Sequence, residues 1–260
     1  MKQATLRIAL ASHLLIPEND RVTYHTDSTV DVEVYFGEAL VFFGNTVHAG
    51  RECKSICLRS FMSFTHSHFS SLDKQNYIRL VKPCDSHCRT CDGLIRYKED
   101  HNGNLITFER HQSLVTGSSC CNGLTLNEFG FGIVSLSDHM KAVVGDGFCD
   151  AVDFLSTKPN PIKFQSIGQE ITDFRKKGKK RLIMVQSGVK TAQSVLHEKF
   201  PVIHRYLQMS ASTVCEYLKG ETGLQYNLVD FTLLKNGDDG SGDQYMHIDD
   251  KSVCNCNEIV

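Results

Sequence analysis

The sequence has no tryptophan and only five prolines among 260 residues. Neither shortage excludes a fold class, but other absences are more restrictive. No stretch approaches the ~18–20 consecutive apolar residues of a membrane-spanning helix, so no membrane partner is expected. The apolar piece Ile8–Ile16 is broken by Ser12 and His13. Glu18, Asn19, Asp20 and Arg21 follow it where a signal peptide would carry small residues for cleavage. It reads as a strand, and the expected location is intracellular, cytoplasmic or nuclear. A net charge of −2 excludes a whole-protein field that draws in nucleic acid or a membrane surface. The chain carries no internal repeat.

The length suffices for one large domain or two small ones with a real core, and the 41% hydrophobic and 22% charged contents are ordinary for a globular chain. Eleven cysteines is many and odd, which in an intracellular protein suggests free thiols and a metal site more than a disulfide framework.

Three zones separate. Residues 1–75 are rich in strand patterns. Thr5–Leu15 is apolar with β-branched members, Val30–Tyr35 alternates strictly, and Ala39–Phe43 and Cys57–Phe64 are short apolar runs with turn residues between them. Residues 76–125 are polar and hold Cys84, Cys88, Cys91, Cys120 and Cys121, with a hairpin expected around the turn 102–104. In 126–260, Ser137–Val144 reads as a short helix, Leu182–Gln186 as a strand, and Val189–Lys219 as a helix interrupted at Pro201 and ended by Gly220. Tyr226–Lys235 reads as a strand that leads through a Gly/Asp loop to Gln244–Asp249.

Two segments carry the chemistry. In the first, Gly37, an apolar run, Phe42 and Gly44 precede His48, and Arg59 follows eleven residues later on a β-like run. In the second, His247-Ile248-Asp249 comes directly after a strand and a glycine loop. On a strand the period of two sends His247 and Asp249 to one face. Two neutral imidazoles and one carboxylate hold one face of a non-haem Fe(II) ion and leave its other positions open. A buried arginine offers a bidentate fork to a carboxylate, a task that lysine does less specifically.

These segments resemble the two halves of an Fe(II)/2-oxoglutarate-dependent dioxygenase, the group that includes prolyl hydroxylases and phytanoyl-CoA hydroxylase. The resemblance implies a mainly β (α+β) double-stranded β-helix, or jelly roll, with flanking helices and a Cys-rich insertion. It implies His247, Asp249 and His48 as iron ligands, Arg59 as the anchor of 2-oxoglutarate, and Tyr226 as a second oxoglutarate contact. The expected activity is hydroxylation of a small-molecule or protein substrate that the sequence does not disclose. Residues 1–75 then form the C-terminal-type half of the jelly roll, 76–125 the insertion, and 126–260 a helical flank with the first jelly-roll strands. The departure from the family is the order, since His-x-Asp normally precedes the distal His. Counted through joined ends, His247 and His48 are about sixty residues apart, within the family's range. A circular permutation or a fragment of a tandem oxygenase accounts for this. His25-Thr26-Asp27 does precede His48, but the gap is too short for four intervening strands, and it reads as a surface turn.

Plainer alternatives stand beside each reading. His48 caps a turn, His247 and Asp249 belong to a polar hairpin, and Arg59 lies on a solvated edge; the chain is then a catalytically silent jelly-roll or zinc-containing interaction protein. His66 and His68 read as solvent-facing. Cys84, Cys88, Cys91 and Cys120 have the general form of a structural zinc site, with free thiols on a loop-rich insertion as the alternative. Arg175–Arg181 holds six cations in seven residues and reads as a solvated loop. Nucleic-acid binding is the alternative there, without the interleaved aromatics that stack on bases.

Overall fold

The computed structural model describes residues 4–14, 23–24, 26–35, 37–52, 58–66, 77–83, 125–136, 147, 150, 169–171, 181–188, 198, 200–236 and 243–250. Among these the chain is mainly β, with one long helix and antiparallel sheets apart from a two-residue parallel pair. The strands are β1 (Ala4–Ala9), β2 (Thr23–Tyr24), β3 (Thr29–Val34), β4 (Glu38–Phe42), β5 (His48–Gly50), β6 (Leu58–His66), β7 (Tyr77–Leu80), β8 (Lys82–Pro83), β9 (Phe131–Ser135), β10 (Gln169–Ile171), β11 (Arg181–Gly188), β12 (Tyr226–Asn236) and β13 (His247–Asp250). Helix α1 is Thr125–Phe129 and helix α2 is Pro201–Thr222.

Both ends of the sequence enter the same sheets. One sheet has the order β3-β1-β5-β13-β7, and another has the order β10-β11-β12-β6. A two-stranded unit pairs β4 with β9. Alternation sorts the side chains into layers. Leu40 and Phe42 of β4, with Phe131 and Ile133 of β9, pack against Leu6, Ile8 and Val32 of β1 and β3. Ala39, Val41 and Val134 point the other way, into a cluster with Phe64 and Tyr226 that is closed by Ala211, Val214 and Leu218 of α2. A helix therefore covers the outer face of one layer of strands, and a second layer lies on its inner face.

Helix α2 forms where an apolar stripe recurs at helical spacing through Ile203, Leu207, Ala211, Val214 and Leu218, all buried. The expected interruption falls at Pro201, since Glu198 is helical and Phe200 is not, but the C-terminal limit differs from that expected. Pro201 opens the helix at its first turn, where the missing N–H costs nothing. Gly220 is passed over, and the stop is Gly223 at φ +73°, whose N–H caps the Lys219 carbonyl. Strand β1 is also shorter than the apolar run. It ends at Ala9, Ala11 takes φ +55°, and Ser12–Leu14 make a 3-10 turn in which Ser12 Oγ accepts the Val47 N–H at 2.8 Å. Several elements have no counterpart in the sequence reading: α1, the short β2, β8 and β10, β9, and β7, whose Tyr77–Leu80 lies beside β13. The hairpin around 102–104, the helix Ser137–Val144 and the basic run before Arg181 lie outside the described residues.

Gly132 of β9 lies under the helix, where an added Cβ would meet the Tyr217 hydroxyl. Gly132→Ala should lower unfolding free energy by about 1–3 kcal/mol through overpacking. In a Tyr217→Phe background the loss should shrink, as chemical denaturation of the four-variant cycle would reveal.

Candidate metal centre

Strand β13 lies antiparallel to β5 with His247 directly opposite His48, so cross-strand pairing brings together two residues about two hundred positions apart. The apolar partners alternate with them. Val47, Ala49, Met246 and Ile248 turn to the opposite face and form a buried cluster with Ala9 and Val81. This alternation leaves His48, His247 and Asp249 on one face, as the period of two requires. His48 also lies opposite Ile8 of β1, on the side of the sheet that packs against β4 and β9.

The three side chains form one group. Their ligating atoms all lie within 4.8 Å of one another. His48 Nε2 is 3.6 Å from Asp249 Oδ2, and His247 Nε2 is 3.8 Å from Asp249 Oδ1. Both histidines are 3% exposed, while the Asp249 side chain is 25% exposed, so the group is open to solvent on the carboxylate side. A shared metal at about 2.0–2.2 Å from each donor requires only a small contraction.

Each imidazole is held by the same local device. His48 Nδ1 donates to the Thr46 carbonyl at 2.9 Å and His247 Nδ1 to the Tyr245 carbonyl at 2.8 Å. A carbonyl can only accept, so in the neutral form of each ring the proton sits on Nδ1 and the Nε2 lone pair faces Asp249. Such bonds to the remote ring nitrogen orient histidine ligands and raise their basicity. The rings are 4.3 Å apart between centroids, and Phe42 backs His48 at 4.5 Å. His48, His247 and Asp249 can therefore hold a metal ion.

The segment before His247 is docked on the end of β5. Gln244 N–H donates to the Gly50 carbonyl at 2.8 Å, and Gly50 N–H donates to Gln244 Oε1 at 2.6 Å. Asp243 accepts from Arg51 Nη1 at 2.6 Å and from the Glu52 N–H at 2.7 Å. Asp249 N–H reaches the Gly44 carbonyl at 3.1 Å.

Arg59 comes from the other layer. On β6, Ser60 turns toward α2, its hydroxyl 3.3 Å from that of Tyr206, so Arg59 projects from the opposite face. It is 9% exposed, and its Nε and Nη2 have no hydrogen-bond partner among the described residues. Its Nη1 lies 3.0 Å from where a Cβ on Gly50 would stand, a point that Gln244 Oε1 also approaches. Gly50 is thus a cradle without a side chain, between the arginine and the metal strands.

Tyr226 is not brought to this site. Its ring packs in the helix-facing cluster with Val214 and Leu218, and it lies opposite His66, whereas Arg59 lies opposite Leu234 at the other end of β12. An oxoglutarate contact from Tyr226 is therefore withdrawn. Thr26–Ser28 form a 3-10 turn, the form expected for the nearby His-x-Asp decoy. Cys84, Cys88, Cys91 and Cys120 and the zinc site expected of them lie outside the described residues, as does His68. Sequence reasoning missed Gln244 and Gly50, although a glycine two residues after the histidine was a signal of close backbone approach.

No protein-family model, curated protein or solved structure matches the chain. Among the described residues no helix is long and apolar enough to cross a membrane.

His13 supports the loop that presents His48. It stacks on Phe43 at 5.0 Å, donates Nε2–H to the Asn127 carbonyl at 2.9 Å, and its own carbonyl accepts Asn45 Nδ2–H at 2.9 Å. Its Nδ1 is buried with no partner among the described residues. Burial lowers its pKa from 6.5, against the raising effect of the Asn127 bond. The unfolded chain then binds more protons, so this contribution is full above about pH 6.5 and is lost as pH falls toward the lowered folded value. Melting temperature should drop on acidification through that window more steeply in the wild-type chain than in His13→Phe, and equal slopes would refute the effect.

Proposed function

We propose that this chain is an Fe(II)/2-oxoglutarate-dependent oxygenase whose jelly roll is built from both ends of the sequence in permuted order. The observation that carries the reading is the convergence of His48, His247 and Asp249 on one face, with a buried arginine whose Nε and Nη2 are unpaired among the described residues. The strand order supports the jelly roll. Strand β12 lies in one sheet and β13 in the other, and the chain crosses back between β5 and β6. Such crossings between two packed sheets are how a jelly roll is wound.

The donor set fits ferrous iron. Two neutral imidazoles and one carboxylate occupy one face and leave a small net charge, whereas a closed structural zinc site has four protein ligands. Ferrous iron with 2-oxoglutarate supplies oxygen activation coupled to decarboxylation of the oxoacid. His48 and His247 present Nε2 lone pairs fixed by their Nδ1–H bonds, and Asp249 supplies the anionic donor on the solvent-facing side. Arg59 pairs with the distal carboxylate of the oxoacid. The unpaired Nε and Nη2 are adjacent edges of one fork, the geometry of bidentate carboxylate recognition. A buried guanidinium with two unpaired donors is costly in isolation, and a bound carboxylate offsets that cost.

Anaerobic titration with Fe(II) and then 2-oxoglutarate should develop the weak visible charge-transfer band of a bidentate oxoacid complex, and its absence would reject the reading. His48→Ala should abolish iron binding and succinate formation while leaving the fold intact by circular dichroism. Metal-dependent succinate production in that variant would sink the assignment. Arg59→Ala should retain iron but weaken oxoglutarate by about 3 kcal/mol, roughly a hundredfold; unchanged affinity by calorimetry would remove Arg59 from the site.

A further inference from the structure

Gln244 does more than tie two strands together. It is 8% exposed, and its side-chain oxygen is committed to the Gly50 N–H while its backbone N–H returns to the Gly50 carbonyl. The same oxygen flanks the point above Gly50 that Arg59 Nη1 approaches at 3.0 Å. Among the described residues no carboxylate pairs with Arg59, and the polar side chain that shares the space above Gly50 with it is a neutral amide. A glutamate at that position would fill the same space and accept the same Gly50 N–H. It would also place a full negative charge beside the guanidinium, inside a site where opposite charges attract strongly. The neutrality of residue 244 is therefore separable from its shape.

We propose that Gln244 is a positioning residue that keeps the Arg59 charge available, holding the strand that carries His247 against Gly50 without neutralising the anion subsite. This rests on the oxygenase reading, in which Arg59 receives the distal carboxylate of a dicarboxylic oxoacid. Gln244 adjoins both halves of the site, three residues before a metal ligand on one strand and at the glycine two residues after another.

Calorimetry with Mn(II), and then with 2-oxoglutarate in the presence of Mn(II), tests it on the full chain. Gln244→Glu should keep the wild-type Mn(II) affinity and melting temperature but bind 2-oxoglutarate about a hundredfold more weakly, as expected when an internal carboxylate competes for a bidentate arginine. Gln244→Met preserves length and neutrality while losing the Gly50 bond, and should cost oxoglutarate affinity less than about tenfold. Wild-type oxoglutarate affinity in Gln244→Glu would overturn the inference and leave the oxygenase reading standing. Equal losses in the two variants would overturn it too, reducing Gln244 to a purely structural tie; this comparison also decides if Gln244→Glu melts early, because Gln244→Met then must not. No oxoglutarate binding by the wild-type chain would sink the oxygenase reading and this inference with it.

Discussion

The docking of β13 on β5 is the interaction on which the site depends. A single cross-strand register sets His247 opposite His48, and a one-residue slip would turn every side chain of β13 to the other face. Several independent restraints guard that register. Met246 and Ile248 are buried with Val47 and Ala49 on the reverse face, so a slip would withdraw apolar side chains from that cluster and bury a carboxylate in it. Gln244 and Gly50 exchange two hydrogen bonds, and Asp243 reaches Arg51 and Glu52. Arg51 also approaches Asp31, which is paired in bidentate fashion with Arg7, so a chain of charges crosses from β3 to the entry of β13. These groups are about a third exposed, and their value lies in register more than in stability.

The polar interior follows the same economy. Buried imidazoles are tolerated because each donates to a carbonyl two residues earlier, which requires no distant partner and fixes the ring before any metal arrives. The buried arginine is different. Its Nε and Nη2 are unpaired among the described residues, and unpaired buried donors are rare enough in folded proteins to demand an explanation. A carboxylate ligand is the explanation that the proposed oxygenase chemistry supplies. Gly50 lets Arg59 and Gln244 approach each other from different layers, because any side chain there would occupy the space they share.

Much of the fold was legible in local pattern. The alternation of Val30–Tyr35, the apolar runs that became β4 and β6, and the stripe from Ile203 to Leu218 each match an element, because side-chain periodicity reports which face is buried. The errors came where local signals compete with tertiary ones. Gly220 reads as a stop, yet the helix carries through it for two more residues and ends at Gly223, the glycine that takes the left-handed conformation. Strand β9 went unread because Phe131 and Ile133 gain their partners from β4, some ninety positions away. Tyr226 was assigned by its place on the correct strand, but the parity of that strand turns it to the helix.

By itself the sequence determined the types of candidate ligand and their strand parity. His-x-Asp must share a face on any strand, and a glycine-bounded apolar run must deliver His48 at a strand end. It also contained the spacing of Arg59 from His48. What it did not contain was the meeting of these pieces, since nothing local distinguishes a His-x-Asp that finds a second histidine from one that ends in a surface turn. Pairing of β13 with β5 decided that, because the free energy that joins them comes from burial on the reverse face and hydrogen bonds across about two hundred residues of chain. The neighbourhood of Arg59 was likewise settled by layer packing, which alone determines what a buried guanidinium is left to bind.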